Sequence, residues 1–436
     1  STLKPFLYGV ALDEGLIHSH SLLIDAPRFK SHYRPQNFSG FFNGPVTATD
    51  ALQRSLNVPA VQLIEHFGAD RFVTRLQNGG LKTFGPGSAK PNTSVILGGI
   101  GVQLESLLGI YSALARDGKA ISPRFQADSP KQERYLMSSG AAWIIQDMLA
   151  QHPYRRIGQQ SRQGWDLAWK TGTSYGYREA WAMGVSPDWS IGVWVGRPDG
   201  SASPGRYGRV TAAPLLFRVH AALPRSVSER PQPESVSRQA ICWPAGTQST
   251  RSENTASNCL KRYDAWVLND TVPATLPETT ELNLHKQVNQ VWLDPTTGKR
   301  AEPACLPDRV LQPVLITLWP NAVEPWLPAH WQNRHRLPPR DTRCQQSVGA
   351  TDAPLHITSW PEDALLQLPG AHRTEALDVI LKAEGGSGYR DWYLNGGYIG
   401  RSQNGLPYQL TQAGHYQISV VDQQGNIDRV AVRVLP

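Results

Sequence analysis

No run of 18 apolar residues occurs in the 436-residue sequence, and its first residues carry no basic-then-apolar leader. Nothing in it therefore reads as a membrane-spanning helix or a secretion signal. Cysteine is absent from the whole first half. All four, Cys242, Cys259, Cys305 and Cys344, fall in the second half at spacings unlike a compact zinc pattern, with no histidines grouped beside them. No metal and no cofactor are expected. An even number confined to one region predicts two disulfides and an oxidising compartment instead. Of the three possible connectivities, pairing of neighbours is preferred, Cys242 with Cys259 and Cys305 with Cys344. No nucleic-acid-reading module and no internal repeat is found, so no nucleic-acid partner is expected. Charge is sparse too, at 18%, and 43 Lys and Arg against 36 Asp and Glu leave only +7. That suits a basic solvated surface, or else an anionic partner such as a cell-wall polymer or membrane surface.

What is present is length, glycine (38) and proline (34), a globular composition leaning towards β structure and long loops in two or three domains. Leu3, Leu7, Val10 and Ala11 space out an amphipathic helix over Leu3–Leu12, stopped at Gly15. Residues 18–46 read as loop. Thr49-Asp50 is placed to cap a short helix, and a second carries Val61 and Ile64 to Gly68. Further helices are predicted from Asp70 to Gln77, along the Leu104–Ala115 stripe, after Ser138 or Ser139, and from Ala213 to Ala221. Residues 166–173, 179–185 and 189–195 read as strands. Helices followed by antiparallel strands argue for an α+β domain over 1–223. Pro224 to Arg238 reads as a linker (224–238), and 239–350 as a cysteine-containing β and loop region. Residues 351–436 read as a small β-sandwich, through the alternation of Tyr416, Ile418, Val420 and of Val430, Val432, Val434.

Three motifs carry chemistry. Ser1-Thr2-Leu3-Lys4 is the one S-x-x-K, and its spacing puts hydroxyl and amine on one helix face, where a neutral lysine activates a serine. Lys170-Thr171-Gly172 is the one K-T-G. Between them Ser55-Leu56-Asn57 is an S-x-N, a common pattern that alone suits a helix cap and a turn. The ordered set, with gaps of about fifty and then just over a hundred residues, is specific to serine enzymes that bind penicillin.

Tyr33-Arg34-Pro35-Gln36-Asn37-Phe38, Gly44-Pro45-Val46-Thr47, Ser55 to Val61 and Lys170 to Gly196 resemble the transpeptidase domain of class A penicillin-binding proteins. Asp391-Trp392-Tyr393-Leu394-Asn395-Gly396 is similar to the terminal domain of the 1C-type members. The resemblance implies a β-lactamase-like α+β transpeptidase fold truncated at its N-terminus. Family members carry strands and a helix before the nucleophile, and a glycosyltransferase domain with a membrane anchor before those. It further implies a periplasmic protein whose full length is anchored in the inner membrane, and whose partners are peptidoglycan stem peptides, β-lactams and an α2-macroglobulin-like protein. Ser1 is the implied nucleophile, Lys4 the base, Ser55 the proton relay and Asn57 the holder of the substrate amide. Lys170, Thr171 and Thr173 are implied to receive the donor carboxylate, with Gly172 leaving room for it. Leu56, where β-lactamases have Asp, favours a transpeptidase over a lactamase. Tyr175 and Tyr177 are read either as packing or as a wall of the cleft, Trp392 and Tyr393 either as sandwich core or as a sugar-stacking surface. A binding scaffold with weak or no activity is the alternative from another class.

Overall fold

A computed structural model describes residues 1–27, 35–85, 90–150, 167–224, 230–248, 259–276, 288–301, 303–347, 354–369, 376–386, 388–422 and 426–435. Tyr33 and Arg34, Asp166 ahead of the K-T-G, residues 225–229 of the predicted linker, and Gln424-Gly425 of the last predicted turn lie outside them.

The N-terminal part is built around helix α1 (Lys4–Asp13), with Pro5 in its first turn. Sequence spacing predicts an amphipathic helix, but Lys4 through Leu12 are buried without interruption. The reason is enclosure. Helices α2 (Ala48–Gln53), α3 (Asn57–Phe67) and, beyond α4 (Ala69–Asn78) and α5 (Leu104–Tyr111), α6 (Ser139–Ala150) leave α1 no solvent face. A helix packed all round needs no polar stripe.

Local side chains set the helix ends. Thr47, not Thr49, caps α2: its hydroxyl accepts from Asp50 N (2.9 Å) and donates to the Asp50 carboxylate (2.8 Å). Ser138 caps α6 by accepting from Ala141 N (3.1 Å) while donating to Asp13 at the end of α1 (2.5 Å), which ties the two helices together. Gly68, at φ +98°, ends α3 as predicted.

Strands β1 (Leu22–Asp25) and β2 (Gly44–Thr47) pair antiparallel, with Asp25 opposite Gly44. Strands β3 (Ala168–Thr173), β4 (Glu179–Val185) and β5 (Ser190–Gly196) form an antiparallel sheet in chain order, leaving β3 as an edge. Helix α7 (Gly208–Ala222) covers one face of that sheet through Ala212, Ala213 and Leu216. It starts five residues before the predicted Ala213, because its first turn offers too few apolar residues for periodicity to register.

Next come two hairpins, β6 (Val236–Pro244) with β7 (Cys259–Leu268) and β8 (Val288–Leu293) with β9 (Gln312–Thr317). Disulfides join Cys242 to Cys259 and Cys305 to Cys344, the preferred pairing. Ile241, Trp243, Ala265 and Trp319 share a core with Leu22 and Ile24 of β1.

The C-terminal part is a five-stranded sheet of β10 (Ala364–Gln367), β16 (Ile427–Leu435), β15 (Gly414–Val421), β12 (Arg390–Leu394) and β13 (Gly397–Ser402), in that spatial order. The pair β11 (Leu377–Leu381) and β14 (Leu406–Leu410) shares its core with that sheet through Leu381, Trp392, Ile418 and Val430. Trp392 is fully buried and donates its indole N–H to Ser402 Oγ (2.9 Å), so it is sandwich core and not a stacking surface. No helix among the described residues is long and apolar enough to cross a membrane.

Candidate active site

The three motifs, distant in sequence, meet at one place. Helix α1 begins only at Lys4, with Leu3 as its cap residue, so Ser1 lies just before the first turn. Lys4 N donates to Ser1 O (3.2 Å), and the buried Tyr111 hydroxyl donates to Thr2 O (2.6 Å), pinning the lead-in from the far side. Edge-on packing of Phe6 against Tyr111 (4.9 Å) holds that contact. Tyr111 falls within the Leu104–Ala115 stripe, whose spacing predicts a helix and no part in the site; the signal is its hydroxyl, since a buried phenol needs an acceptor.

Lys4 is fully buried, and its amine donates to Ser55 O (2.8 Å), Leu56 O (3.0 Å) and Asn57 Oδ1 (2.8 Å). The helix-face geometry predicts a shared proton between Lys4 and the Ser1 hydroxyl. In the structure the amine is held instead by the S-x-N loop. Burial, and next the charge of Lys170, push the Lys4 pKa well below its ordinary value, while Asp25 pulls it back up.

Ser55 is not a helix cap. It sits at φ +59°, a left-handed conformation that costs a non-glycine residue about 1 kcal/mol. Ser55 N donates to Leu52 O (3.1 Å), and Lys170 donates to Ser55 Oγ (2.7 Å) and Thr171 O (3.0 Å). Lys170 is 2% exposed, and burial lowers its pKa to about 7. Two buried amines thus grip one serine from opposite motifs.

Asn57 is the first residue of α3 rather than a turn residue. No side chain of its own caps that helix; Asn37, from the Asn37-Phe38-Ser39-Gly40 loop, accepts from Asn57 N (2.9 Å) and does the work across the chain. Asn57 Nδ2 donates to Gln36 O (2.6 Å), which fixes the amide so that Oδ1 faces Lys4. Asn37 Nδ2 in turn donates to both oxygens of Asp25 (2.8 and 2.9 Å). Asn43 adds its backbone N–H (2.9 Å) and Nδ2 (2.5 Å) to the same fully buried carboxylate, and Arg54 donates to Asn43 Oδ1. Asp25, Asn37 and Asn43 lie in the stretch 18–46 that reads as loop by sequence, whereas Leu22–Asp25 and Gly44–Thr47 are paired strands. An acid ending the apolar run Leu22-Leu23-Ile24 was the available clue.

On β3, a Cβ at Gly172 would lie 2.9 Å from Thr2 Cγ2, so glycine there lets the edge strand approach the Ser1–Lys4 segment. Thr171 and Thr173 lie on the α7 side, where the Thr173 hydroxyl accepts from Gly208 N (3.0 Å) and keeps its own proton to donate. A Cβ at Gly208 would overlap the Gly172 carbonyl oxygen and lie 2.7 Å from that of Trp181. Phe38, 63% exposed, stands at the rim, with its ring 5.8 Å from Tyr177 and 5.2 Å from Tyr207. Tyr175 is 93% exposed. Among the described residues, no group of three or more His, Cys, Asp or Glu is placed to hold a metal.

Residues 1–214 match the profile of the penicillin binding protein transpeptidase domain. Residues 235–267 match the penicillin-binding protein 1C linker domain, 283–335 the second linker domain of penicillin-binding protein 1C, and 344–434 the penicillin-binding protein C-terminus family. The chain is 44% identical to penicillin-binding protein 1C of Escherichia coli over 99% of its own length and 55% of that protein's. It is 30% identical to penicillin-binding protein 1F of Bacillus subtilis over 45% of this chain and 30% of that protein. It thus spans about half of the first relative and less than a third of the second. A crystal structure of penicillin-binding protein 1A from Haemophilus influenzae shares the fold, with a TM-score of 0.50 at 20% identity, over 63% of this chain and 48% of that one.

Proposed function

The chain belongs to the penicillin-binding proteins, as a member of the 1C type, and on that premise we propose that residues 1–223 act as a serine D,D-transpeptidase of peptidoglycan. The observation that carries the reading is the double grip on the S-x-N loop: Lys4 holds Ser55 O and Asn57 Oδ1, and Lys170 holds Ser55 Oγ.

In this reading Ser1 Oγ attacks the penultimate D-alanyl carbonyl of a stem peptide. An ester bond forms and the C–N bond to the last D-alanine breaks. The serine proton passes to neutral Lys4. Ser55 Oγ, polarised by Lys170, delivers a proton to the leaving amine. An amine of a second stem then attacks the ester and gives its proton to Ser55 Oγ, while Lys4 returns the serine proton to Ser1 Oγ as the ester bond breaks and the cross-link forms. Asn57 holds the donor's amide, and Lys170, Thr171 and Thr173 take its terminal carboxylate. The backbone N–H groups of Ser1 and Thr173 receive the developing oxyanion, where losing one donor costs roughly 3 kcal/mol. A β-lactam enters the same path, but its leaving amine stays tethered and the adduct persists.

The proposal extends to the longer protein. The division is a transpeptidase part (1–223), a linker (224–238) whose last three residues already open β6, a disulfide-containing connecting region (239–350) and a β-sandwich domain (351–436). The whole is a bifunctional glycosyltransferase and transpeptidase, membrane-anchored and facing the periplasm, with an α2-macroglobulin-like partner. The test is D-alanine release from a peptide ending in D-alanyl-D-alanine, with and without an amine acceptor. Acceptor-dependent release that prior penicillin abolishes is expected. Binding of peptidoglycan without any release supports the scaffold reading instead.

A further inference from the structure

Trp326 stands where three parts of the chain meet. It closes the short turn Asn321–Trp326 that follows β9. On one side it presses on Gly44, the first residue of β2: a Cβ there would lie 2.5 Å from Trp326 Cβ and 2.6 Å from Cγ. Gly44 is also at φ +69°, so a side chain is excluded twice over. On its other side the Trp326 ring lies edge-on to Tyr393 of β12 (6.2 Å), and a Cβ at Gly396 would sit 3.4 Å from its indole nitrogen. Arg429 of β16 donates to Glu324 O in the same turn (2.8 Å). One turn therefore fastens the C-terminal sheet to the β1–β2 pair.

What it fastens is the back of the active site. Gly44 follows Asn43, whose two N–H donors hold Asp25. Asp25 holds Asn37, Asn37 caps Asn57, and Asn57 Oδ1 accepts from Lys4. Every link is a hydrogen bond of 2.5 to 2.9 Å. We propose that Trp326 is a positioning residue through which the C-terminal β domain holds Asp25 and Asn57 in register with the Lys4 amine. This rests on the reading of Lys4 as the base.

The charged groups facing Lys4 are Asp25 from β1 and Lys170 from β3, while Tyr8, one turn along α1, adds a buried phenol. The experiment uses the full chain with Trp326→Ala, Asp25→Asn, both together, and Trp326→Phe. Two readouts are taken: the pH profile of acylation by a fluorescent penicillin, and the titration of Lys4 by NMR in 13C-lysine-labelled protein. Asp25→Asn removes the negative charge, so the Lys4 titration and the acid limb of acylation move down by about 1 pH unit. Trp326→Ala loosens Asn43 from Asp25, whose carboxyl then takes up a proton more readily, and moves both the same way by roughly half as much. The double variant moves no further than Asp25→Asn, and Trp326→Phe restores the wild-type position.

A Trp326→Ala protein with a lowered melting temperature but an unmoved Lys4 titration makes Trp326 a packing residue only and overturns the proposal. So does a shift that adds fully to that of Asp25→Asn. The NMR arm reports even without acylation. A moved Lys4 titration in a chain that penicillin never acylates keeps this coupling and sinks the transpeptidase reading.

Discussion

Replacing Lys170 by methionine removes the second buried cation while keeping an unbranched side chain one atom shorter. Lys4 grips Ser55 O at 2.8 Å and Lys170 grips Ser55 Oγ at 2.7 Å. Gripping one residue keeps the two nitrogens within about 10 Å of each other, where at an effective dielectric of about 20 unit charges repel by about 2 kcal/mol, between one and two pH units. Lys170 is a cause of the lowered Lys4 pKa, so its loss raises that pKa. Since Lys4 must be neutral to take the serine proton, the acid limb of acylation moves up by about 1–2 pH units. Burial lowers the Lys170 pKa to about 7, so a basic limb set by Lys170 is expected in the wild type and absent from the variant.

Stability moves the other way. With Lys170 at about 7 in the fold against about 10.4 unfolded, the unfolded chain binds more protons between those values. The wild type therefore gains stability as pH rises through that window. Lys170→Met lacks the burden, and below pH 7 it gains up to about 5 kcal/mol less the lost hydrogen bonds, a net of a few kcal/mol. The assay is stopped-flow acylation by a fluorescent penicillin from pH 5 to 10, with melting curves across the same range. An acid limb that stays in place, or moves down, refutes the electrostatic coupling of the two lysines.

Gly208→Ala drives a methyl group against the β3 backbone at Gly172 and costs about 1–3 kcal/mol. Because it displaces Thr171 and Thr173, penicillin acylation falls at least tenfold, about 1.4 kcal/mol of barrier; an unchanged acylation rate contradicts the packing described. Tyr111→Phe leaves Thr2 O without its buried donor, lowering stability by about 1–3 kcal/mol and slowing acylation with no shift in its pH profile. Breaking the Cys305–Cys344 bond by Cys305→Ser with Cys344→Ser frees a loop with a sequence separation of 39, which lowers unfolding stability by about 4 kcal/mol in denaturant melts.

Much of this was legible in the sequence because the signals were local. The spacing of the three motifs, the Leu104–Ala115 stripe, the Gly68 stop and the neighbour pairing of cysteines needed no knowledge of what packs where. The differences come from long-range contacts. The pattern in α1 looked one-sided, yet α2, α3 and α6 enclose it. Ser55 suggested a cap by residue type, whereas its positive φ serves Lys4 and Lys170. Asp25, Asn37 and Asn43 carried no motif, since their joint role exists only once the β1–β2 pair has folded beside α3. Trp326 meets Gly44 across 282 positions of chain, a contact that no spacing rule encodes.

The central claim is that Ser1 is the nucleophile of a site assembled by Lys4, Ser55, Asn57 and Lys170. Peptide mass spectrometry after incubation with a labelled penicillin tests it directly. One adduct is expected, on Ser1, absent from Ser1→Ala and strongly reduced in Lys4→Ala. No adduct in the wild type, or one on Ser55 instead, contradicts it.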